Sequence, residues 1–211
     1  MKSPSKFAVL LFDSFQALDV FGPLDVLNML AMNNTLELSI ISTSLDPVTA
    51  CTGPSIGQNI LPTHDLHNSP EDIEVLLVPG GRGTRDTGST QPQVDFIKSR
   101  YPKLRYLLTV CTGAALAARA GVLDGKKATS NKAAFEWVKT QGEKVDWVPG
   151  ARWVKDGTTW TSSGISAGID MMYAFIADQY GENAAEEIAR RSEYVRNTDP
   201  SNDPFSKSMA A

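Results

Sequence analysis

Cys111 is the residue best placed to do chemistry in this chain. The apolar run Tyr106–Val110 before it is typical of a buried parallel strand, and the alanine-rich segment Thr112–Ala120 after it is typical of a packed helix. A thiol at such a turn lies at the positive end of the helix dipole, which favours thiolate and supplies backbone N–H groups for an anionic intermediate. The pattern predicts a cysteine nucleophile. A buried structural cysteine is the alternative, and spacing alone does not separate the two.

Asp19 is the candidate acid or base. It stands just ahead of a helix that we predict to begin near Pro23, since proline suits a first helical position. If the first strand delivers Asp19 to the same crevice as Cys111, burial would raise its pKa and let it carry a proton. The alternative is an acidic helix cap, and both descriptions are compatible.

Two turns rich in small residues could border the same crevice. Gly80 and Gly81 follow the apolar strand Val75–Val78, and their N–H groups could hold an oxyanion, although such a turn is often only a turn. Gly164 and Ile165 precede a long helix and could offer main-chain groups to a substrate or a water molecule. Ordinary capping of that helix by Ser166 is the alternative for the second turn.

Alternating strands and helices would position these residues. They imply an α/β fold with a mainly parallel central sheet, helices on both faces and sites at the carboxyl ends of the strands. Two hairpins, Val48–Cys51 with Ser55–Ile60 and Ala151–Lys155 with Thr158–Ser162, should add to the sheet. The other predicted strands are Lys6–Phe12 and Glu37–Thr43, and the other predicted helices are Pro23–Met32, Val94–Arg100, Lys132–Gln141, Gly168–Tyr180 and Ala184–Ser192.

Composition favours one α/β domain over residues 1–211, because 211 residues with 42% hydrophobic content can bury a full core. We expect an ordered core over about 6–192 and a loose polar tail over 197–211. A formal charge of −4 without a basic segment argues against nucleic-acid binding. No run approaches the ~18 apolar residues of a spanning helix, so we expect a soluble, cytoplasmic protein that does not bind membranes.

The cysteine and histidine counts predict no disulfide, metal or cofactor. Cys51 and Cys111 lack disulfide or zinc spacing, so both should be reduced thiols. His64 and His67 fall in a polar connection without neighbouring ligands, and we expect exposed loop histidines.

Five ordered motifs resemble the ThiJ/PfpI superfamily, which shares the class I glutamine amidotransferase-like, flavodoxin-like fold. Within it, the chain is most similar to isonitrile (isocyanide) hydratases. The resemblance implies a nucleophile elbow at Cys111, an acid/base carboxylate at Asp19, a main-chain oxyanion pocket near Gly81 and Thr112, and a homodimer. The motifs are Leu18–Pro23, Val78–Gly81, Thr109–Gly113, Ala120–Thr129 and Ser163–Asp170.

One position departs from many relatives. Asn131 stands where they have a histidine, so protease and amidotransferase reactions, which use a cysteine–histidine pair to protonate an amine, are not expected. Isonitrile hydration expels no amine, and Asn131 could orient a water or a polar atom of a small-molecule substrate. We therefore expect an isonitrile hydratase-like lyase.

Three alternatives stay open. The same cysteine and carboxylate could serve a glyoxalase-type or other carbonyl-directed enzyme. A low-pKa Cys111 could instead act as a redox or stress sensor without turnover. A ligand-sensing domain of a transcriptional regulator ranks lowest, because we expect too little chain after Ser192 for DNA-binding helices.

Overall fold

The computed structural model describes residues 2–53 and 56–206. The strands are β1 (Lys6–Leu10), β2 (Glu37–Ser42), β3 (Val48–Thr49), β4 (Asn59–Ile60), β5 (His64–Asp65), β6 (Val75–Val78), β7 (Tyr106–Thr109), β8 (Lys127–Ala128), β9 (Asp146–Trp147), β10 (Trp153–Asp156) and β11 (Thr159–Ser162). The α-helices are α1 (Ala17–Ala31), α2 (Gln91–Arg100), α3 (Gly113–Arg119), α4 (Phe135–Lys139), α5 (Ser166–Tyr180) and α6 (Glu182–Arg191), with 3-10 turns at Arg82–Arg85, Tyr101–Lys103 and Lys132–Ala134.

A mainly parallel central sheet organises the molecule, as predicted. Over the described residues it has seven strands in the order β10-β11-β7-β6-β1-β2-β5, and only the edge strand β10 runs antiparallel to its neighbour. The central strands are almost wholly apolar because helices lie around the sheet, with α1, α5 and α6 packed together and α2, α3 and α4 forming a second group. Strands β6, β7 and β11 therefore end side by side, which brings distant turns together.

Helix α1 begins earlier than predicted. It starts at Ala17, and Pro23 lies inside it rather than at its first position. The helix begins two residues after Phe15, which forms an isolated bridge with Gly81 of the turn after β6. Asp19 consequently falls in the first helical turn instead of ahead of the helix.

The two predicted hairpins have different outcomes. Strands β10 and β11 pair antiparallel and extend the main sheet, which confirms the second hairpin. The first does not join that sheet, because β3 and β4 form a separate two-stranded sheet; Pro54 and Ser55 of its turn lie outside the described residues. The segment that carries both histidines is not entirely the loop that we expected from the sequence. His64 belongs to β5, which pairs with β2, while His67 is exposed.

The C-terminal segment 197–206 is docked, which corrects the expectation of a loose tail. The Asn197 N–H donates to Asp170 Oδ1 (3.0 Å), and the Pro200 carbonyl accepts the Arg152 N–H (2.8 Å). Asp203 is 2% exposed and lies near two cationic side chains. Buried cations need nearby anions, and this segment supplies one. Residues 207–211 lie outside the described residues. No described helix is both long and apolar enough to cross a membrane.

Candidate active site

Cys111 occupies a strained elbow between β7 and α3. Its φ is 56°, in the left-handed region that non-glycine residues seldom adopt. The surroundings hold this conformation: the Cys111 N–H donates to the Ser163 carbonyl (3.2 Å), and Ser130 Oγ donates to the Cys111 carbonyl (2.7 Å). The elbow aims the side chain into the space where the turns after β6 and β11 meet. The sequence placed Cys111 at this turn, but no pattern marked Ser130 as its support.

Three groups donate towards the sulfur of Cys111: the N–H of Thr112, the N–H of Ile165 and the side chain of Asn131. They lower the pKa of the thiol, but two larger effects oppose them. Burial to 6% exposure and the neighbouring charge of Asp19 raise the pKa of Cys111 from 9.0 to about 12. Both effects favour a neutral thiol, whereas the sequence led us to expect a resting thiolate. The helix terminus favours the anion, yet desolvation is the stronger effect.

Asp19 is fully buried, with 0% exposure. Its Oδ2 accepts the Gly80 N–H (2.9 Å), while Oδ1 has no partner at full hydrogen-bond geometry among the described residues. The Cys111 thiol beside the carboxyl supplies a weaker donor. Burial outweighs both donors and raises the pKa of Asp19 from 3.8 to about 7. The alternative of a helix cap is wrong, since Gln16 holds the N-cap position of α1 without a side-chain bond.

The directions of the two pKa shifts favour an Asp19 carboxylate beside a neutral Cys111 thiol above pH 7. A carboxylate in contact with a thiol can take its proton as the sulfur attacks, which makes a separate basic side chain unnecessary. Both histidines of the chain are elsewhere, in β5 and the turn that follows it.

Gly80 and Gly81 do not offer the free N–H groups that the sequence predicted for an oxyanion. The Gly80 N–H donates to Asp19, and the Gly81 N–H donates to Thr112 Oγ1 (3.0 Å). Gly80 has a different role: a Cβ there would come within 2.5 Å of the Thr112 nitrogen and 2.9 Å of Cys111 Cβ. Glycine lets the β6 turn pack directly against the elbow.

The side chain of Asn131 is oriented by a backbone N–H three residues later in the chain. Its Oδ1 accepts the Ala134 N–H (3.1 Å) and caps the 3-10 turn that follows. Because Oδ1 is occupied there, Nδ2 is the end that serves Cys111 as a donor. Gly164 makes room for this amide, since a Cβ at that position would collide with Nδ2. Asn131 and Gly164 are thus brought together with Cys111.

Ile165 joins the site through its backbone. It has a φ of 45°, and this strained conformation accompanies an N–H donated towards Cys111. Ile165 occupies the N-cap position of α5 without a side-chain bond, and Ser166 is the first helical residue, so the capping predicted for Ser166 is wrong.

A cavity of about 340 Å³ adjoins this arrangement, and its wall includes Asn131, Gly164, Ile165 and Phe205. Cys111 and Asp19 do not line this cavity, but Asn131 and Ile165, which donate towards the Cys111 sulfur, do. A larger groove of about 1040 Å³ lies against β10 and α5 and is lined by none of the predicted site residues. Among the described residues, no group of three or more His, Cys, Asp or Glu could hold a metal ion.

The fold and the site together define an α/β protein with a mainly parallel sheet, a cysteine at a strand-to-helix elbow and a buried carboxyl against its thiol. The chain belongs to the DJ-1/PfpI family, whose model matches residues 5–178.

Relatives within this family differ in what they do. The chain is 34% identical to an isonitrile hydratase of Pseudomonas putida, over 88% of this chain and 77% of that protein. It is 28% identical to the HTH-type transcriptional regulator GbdR of Pseudomonas aeruginosa, over 92% of this chain and only 52% of the regulator. A solved ThiJ/PfpI family protein from Pseudomonas syringae has a TM-score of 0.80 at 26% identity, over 99% of this chain and 85% of that one.

Proposed function

We propose that this protein adds water to isonitriles and releases N-substituted formamides, through a thioimidate on Cys111. The observation that carries the proposal is the Asp19 carboxyl, buried against the Cys111 thiol with a pKa raised to about 7. Such a group can take and return a proton near neutral pH. The identity to an isonitrile hydratase supports the choice of substrate.

In the first step the sulfur attacks the terminal isonitrile carbon. The Asp19 carboxylate takes the thiol proton as the S–C bond forms, and one pair of C–N bonding electrons moves to nitrogen. The lone pair left on carbon then takes the proton back from Asp19, which gives the thioimidate R–N=CH–S–Cys111. The donors at Thr112, Ile165 and Asn131 stabilise the negative charge that develops on sulfur before the new bond is complete.

In the second step water attacks the thioimidate carbon. Asp19 takes one water proton and passes it to the substrate nitrogen, so that carbon holds OH, NH–R and sulfur. The C–S bond then breaks, and the hydroxyl proton returns through Asp19 to the sulfur. The products are R–NH–CHO and the Cys111 thiol, and the same three donors favour departure of the sulfur.

Steric access also supports an isonitrile. Cys111 keeps only 6% of its surface open, and Asn131 and Ile165, which donate towards its sulfur, line the cavity. The C–N–C axis of an isonitrile is linear, so its terminal carbon can enter a narrow opening while its substituent stays in the cavity. A planar or tetrahedral carbonyl carbon carries its substituents closer to the reacting atom.

The redox sensor is less well supported. Peroxide reacts with thiolate rather than with thiol. Burial and the Asp19 charge raise the pKa of Cys111, which lowers the fraction of it that is thiolate. For the carbonyl-directed alternative, methylglyoxal loss should be assayed beside formamide production.

A homodimer and a cytoplasmic location stay predictions.

The test is covalent and catalytic. The protein is incubated with cyclohexyl isonitrile, formamide is measured by chromatography, and peptide mass spectra locate the adduct. We expect turnover, with an isonitrile adduct at Cys111 and none at Cys51. Cys111→Ala should abolish turnover, whereas the matched control Cys51→Ala should keep it. Hydration by Cys111→Ala would overturn the proposal.

A further inference from the structure

The short segment that follows β8 reaches Cys111 with two side chains. Ser130 Oγ donates to the Cys111 carbonyl (2.7 Å), and the Asn131 side chain donates towards the Cys111 sulfur. At the start of the segment, the Thr129 N–H donates to Thr161 Oγ1 of β11 (2.8 Å). These bonds fix the chain as far as Ser130, so the direction of the Asn131 amide depends on what holds the residues that follow it.

Lys132 is the anchor on the other side of Asn131. Its side chain is only 5% exposed although it carries an ammonium group. The Nζ atom donates to the Ala151 carbonyl (2.6 Å) and to Thr129 Oγ1 (3.1 Å). The Asp203 carboxylate lies 3.7 Å from the same nitrogen. The ammonium therefore ties the turn after Asn131 to its surroundings on three sides.

A charged anchor in this position has a cost that an apolar side chain would avoid. Burial lowers the pKa of Lys132, because the interior disfavours the charged form. Replacing buried ions by apolar groups of similar volume is often neutral or stabilising, so packing alone does not require a lysine here. What the ammonium adds is direction, since several hydrogen bonds from one nitrogen fix the turn in a single orientation.

The Asn131 amide needs a fixed orientation because its surroundings are tight. Its Oδ1 accepts the Ala134 N–H (3.1 Å), and a Cβ on Gly164 would lie 2.3 Å from Nδ2. A rotation of the turn would break the first bond or move Nδ2 away from the sulfur. A misplacement of about 1 Å in a catalytic group can cost about 100-fold in rate.

We propose that Lys132 is a positioning residue for the reactive cysteine: it holds the Asn131 amide towards the Cys111 sulfur, and Asp203 of the C-terminal segment supplies its counter-charge. The inference rests on the proposed function only for the reaction in which Cys111 is used. The thiol should therefore lose reactivity, in any reaction that passes through negative charge on sulfur, when Lys132 is replaced.

The test follows alkylation of Cys111 by iodoacetamide at a fixed pH, measured by peptide mass, which requires no hydratase activity. Lys132→Met introduces an apolar side chain of similar length and should slow alkylation by about 10-fold. The control Lys127→Met, at an exposed position in β8, should keep the wild-type rate. A wild-type rate in Lys132→Met would overturn the inference.

A double-mutant cycle separates positioning from a general loss of structure. Asn131→Leu has nearly the same volume as the wild type but no donor for the sulfur. Combined with Asn131→Leu, Lys132→Met should have no further effect on alkylation, because the group that the lysine positions is already gone. Equal slowing in both backgrounds would overturn the proposal, since Lys132 would then act independently of Asn131.

Asp203→Asn keeps the test decisive if Lys132→Met does not fold. The introduced amide retains an oxygen for the Phe205 N–H, which donates to Asp203 Oδ1 (3.0 Å) in the wild type, so mainly the charge is removed. Alkylation should slow in the wild-type background and not in the Asn131→Leu background. Equal slowing in both backgrounds would again overturn the proposal, and a wild-type rate would overturn the role of Asp203.

The kcat/KM for cyclohexyl isonitrile links this inference to the proposed function. It should fall in Lys132→Met together with the alkylation rate. If the wild type hydrates no isonitrile, the proposed function fails, and the alkylation cycle still decides whether Lys132 positions Asn131.

Discussion

Replacing Asp19 by asparagine should make the protein more stable at neutral pH while it abolishes hydration. The introduced amide would keep an oxygen to accept the Gly80 N–H (2.9 Å in the wild type) and would fill nearly the same volume. The substitution would remove a carboxyl whose ionised form is unfavourable in a fully buried site. A functional acid maintained at a cost in stability is the expected trade-off at an active site.

The magnitude follows from the pKa of Asp19. Burial raises that pKa from 3.8 to about 7, a shift of about 3 units, and each unit corresponds to about 1.4 kcal/mol. Between these two values the folded state binds more protons than the unfolded state, so this group makes the protein less stable as pH rises. Its contribution is fully present below pH 3.8 and is lost as pH rises through about 7. The total loss is about 4 kcal/mol.

Urea unfolding at pH 4, 5.5, 7 and 8.5 measures this effect. The free energy of unfolding of Asp19→Asn minus that of the wild type should increase by up to about 4 kcal/mol from the lowest pH to the highest. Asp25→Asn, an exposed position on the same helix, is the control, and its difference from the wild type should stay constant. A change of less than about 1 kcal/mol in the Asp19→Asn difference would show that the carboxyl is not desolvated in the folded protein.

Three further predictions concern the same site. The kcat/KM for an isonitrile should rise with pH through about 7, because Asp19 must be ionised to accept the thiol proton, and then level off; a profile that is flat from pH 5.5 to 8.5 would contradict this. Asn131→Ala should slow adduct formation at Cys111 by about 10-fold to 1,000-fold in stopped-flow measurements, because one donor to the developing negative charge is lost; wild-type rates would exclude that role. Gly80→Ala should lower the free energy of unfolding by about 1–3 kcal/mol, because its Cβ would lie 2.5 Å from the Thr112 nitrogen. Gly150→Ala is the matched control, because a Cβ there meets nothing within 4 Å. Equal stability of the two variants would show that the turn after β6 accommodates the added Cβ without strain.

Local patterns in the sequence predicted most of the fold. The strand Val75–Val78 was predicted with its observed bounds, and the strand Tyr106–Val110 and helix Thr112–Ala120 differ from the observed elements only at their ends. Apolar periodicity and turn residues act over a few positions, so they can be read without the rest of the chain. The predicted start of α1 was wrong, because we placed Pro23 at the first helical position, which proline usually prefers. In the folded protein the helix begins at Ala17, and Pro23 lies inside it.

The sequence by itself determined that Cys111 stands at a strand-to-helix turn, and that Asp19 and Gly164 follow strands leading to the same edge of a parallel sheet. Only the tertiary structure decided that burial raises the pKa of both the thiol and the carboxyl, that the N–H groups of Gly80 and Gly81 already have acceptors, and that Asp203 docks the C-terminal segment. The physical reason is that desolvation and hydrogen-bond partners depend on which distant segments meet. A pKa or an occupied donor is therefore a property of the packed molecule, whereas a turn is a property of a few neighbouring residues.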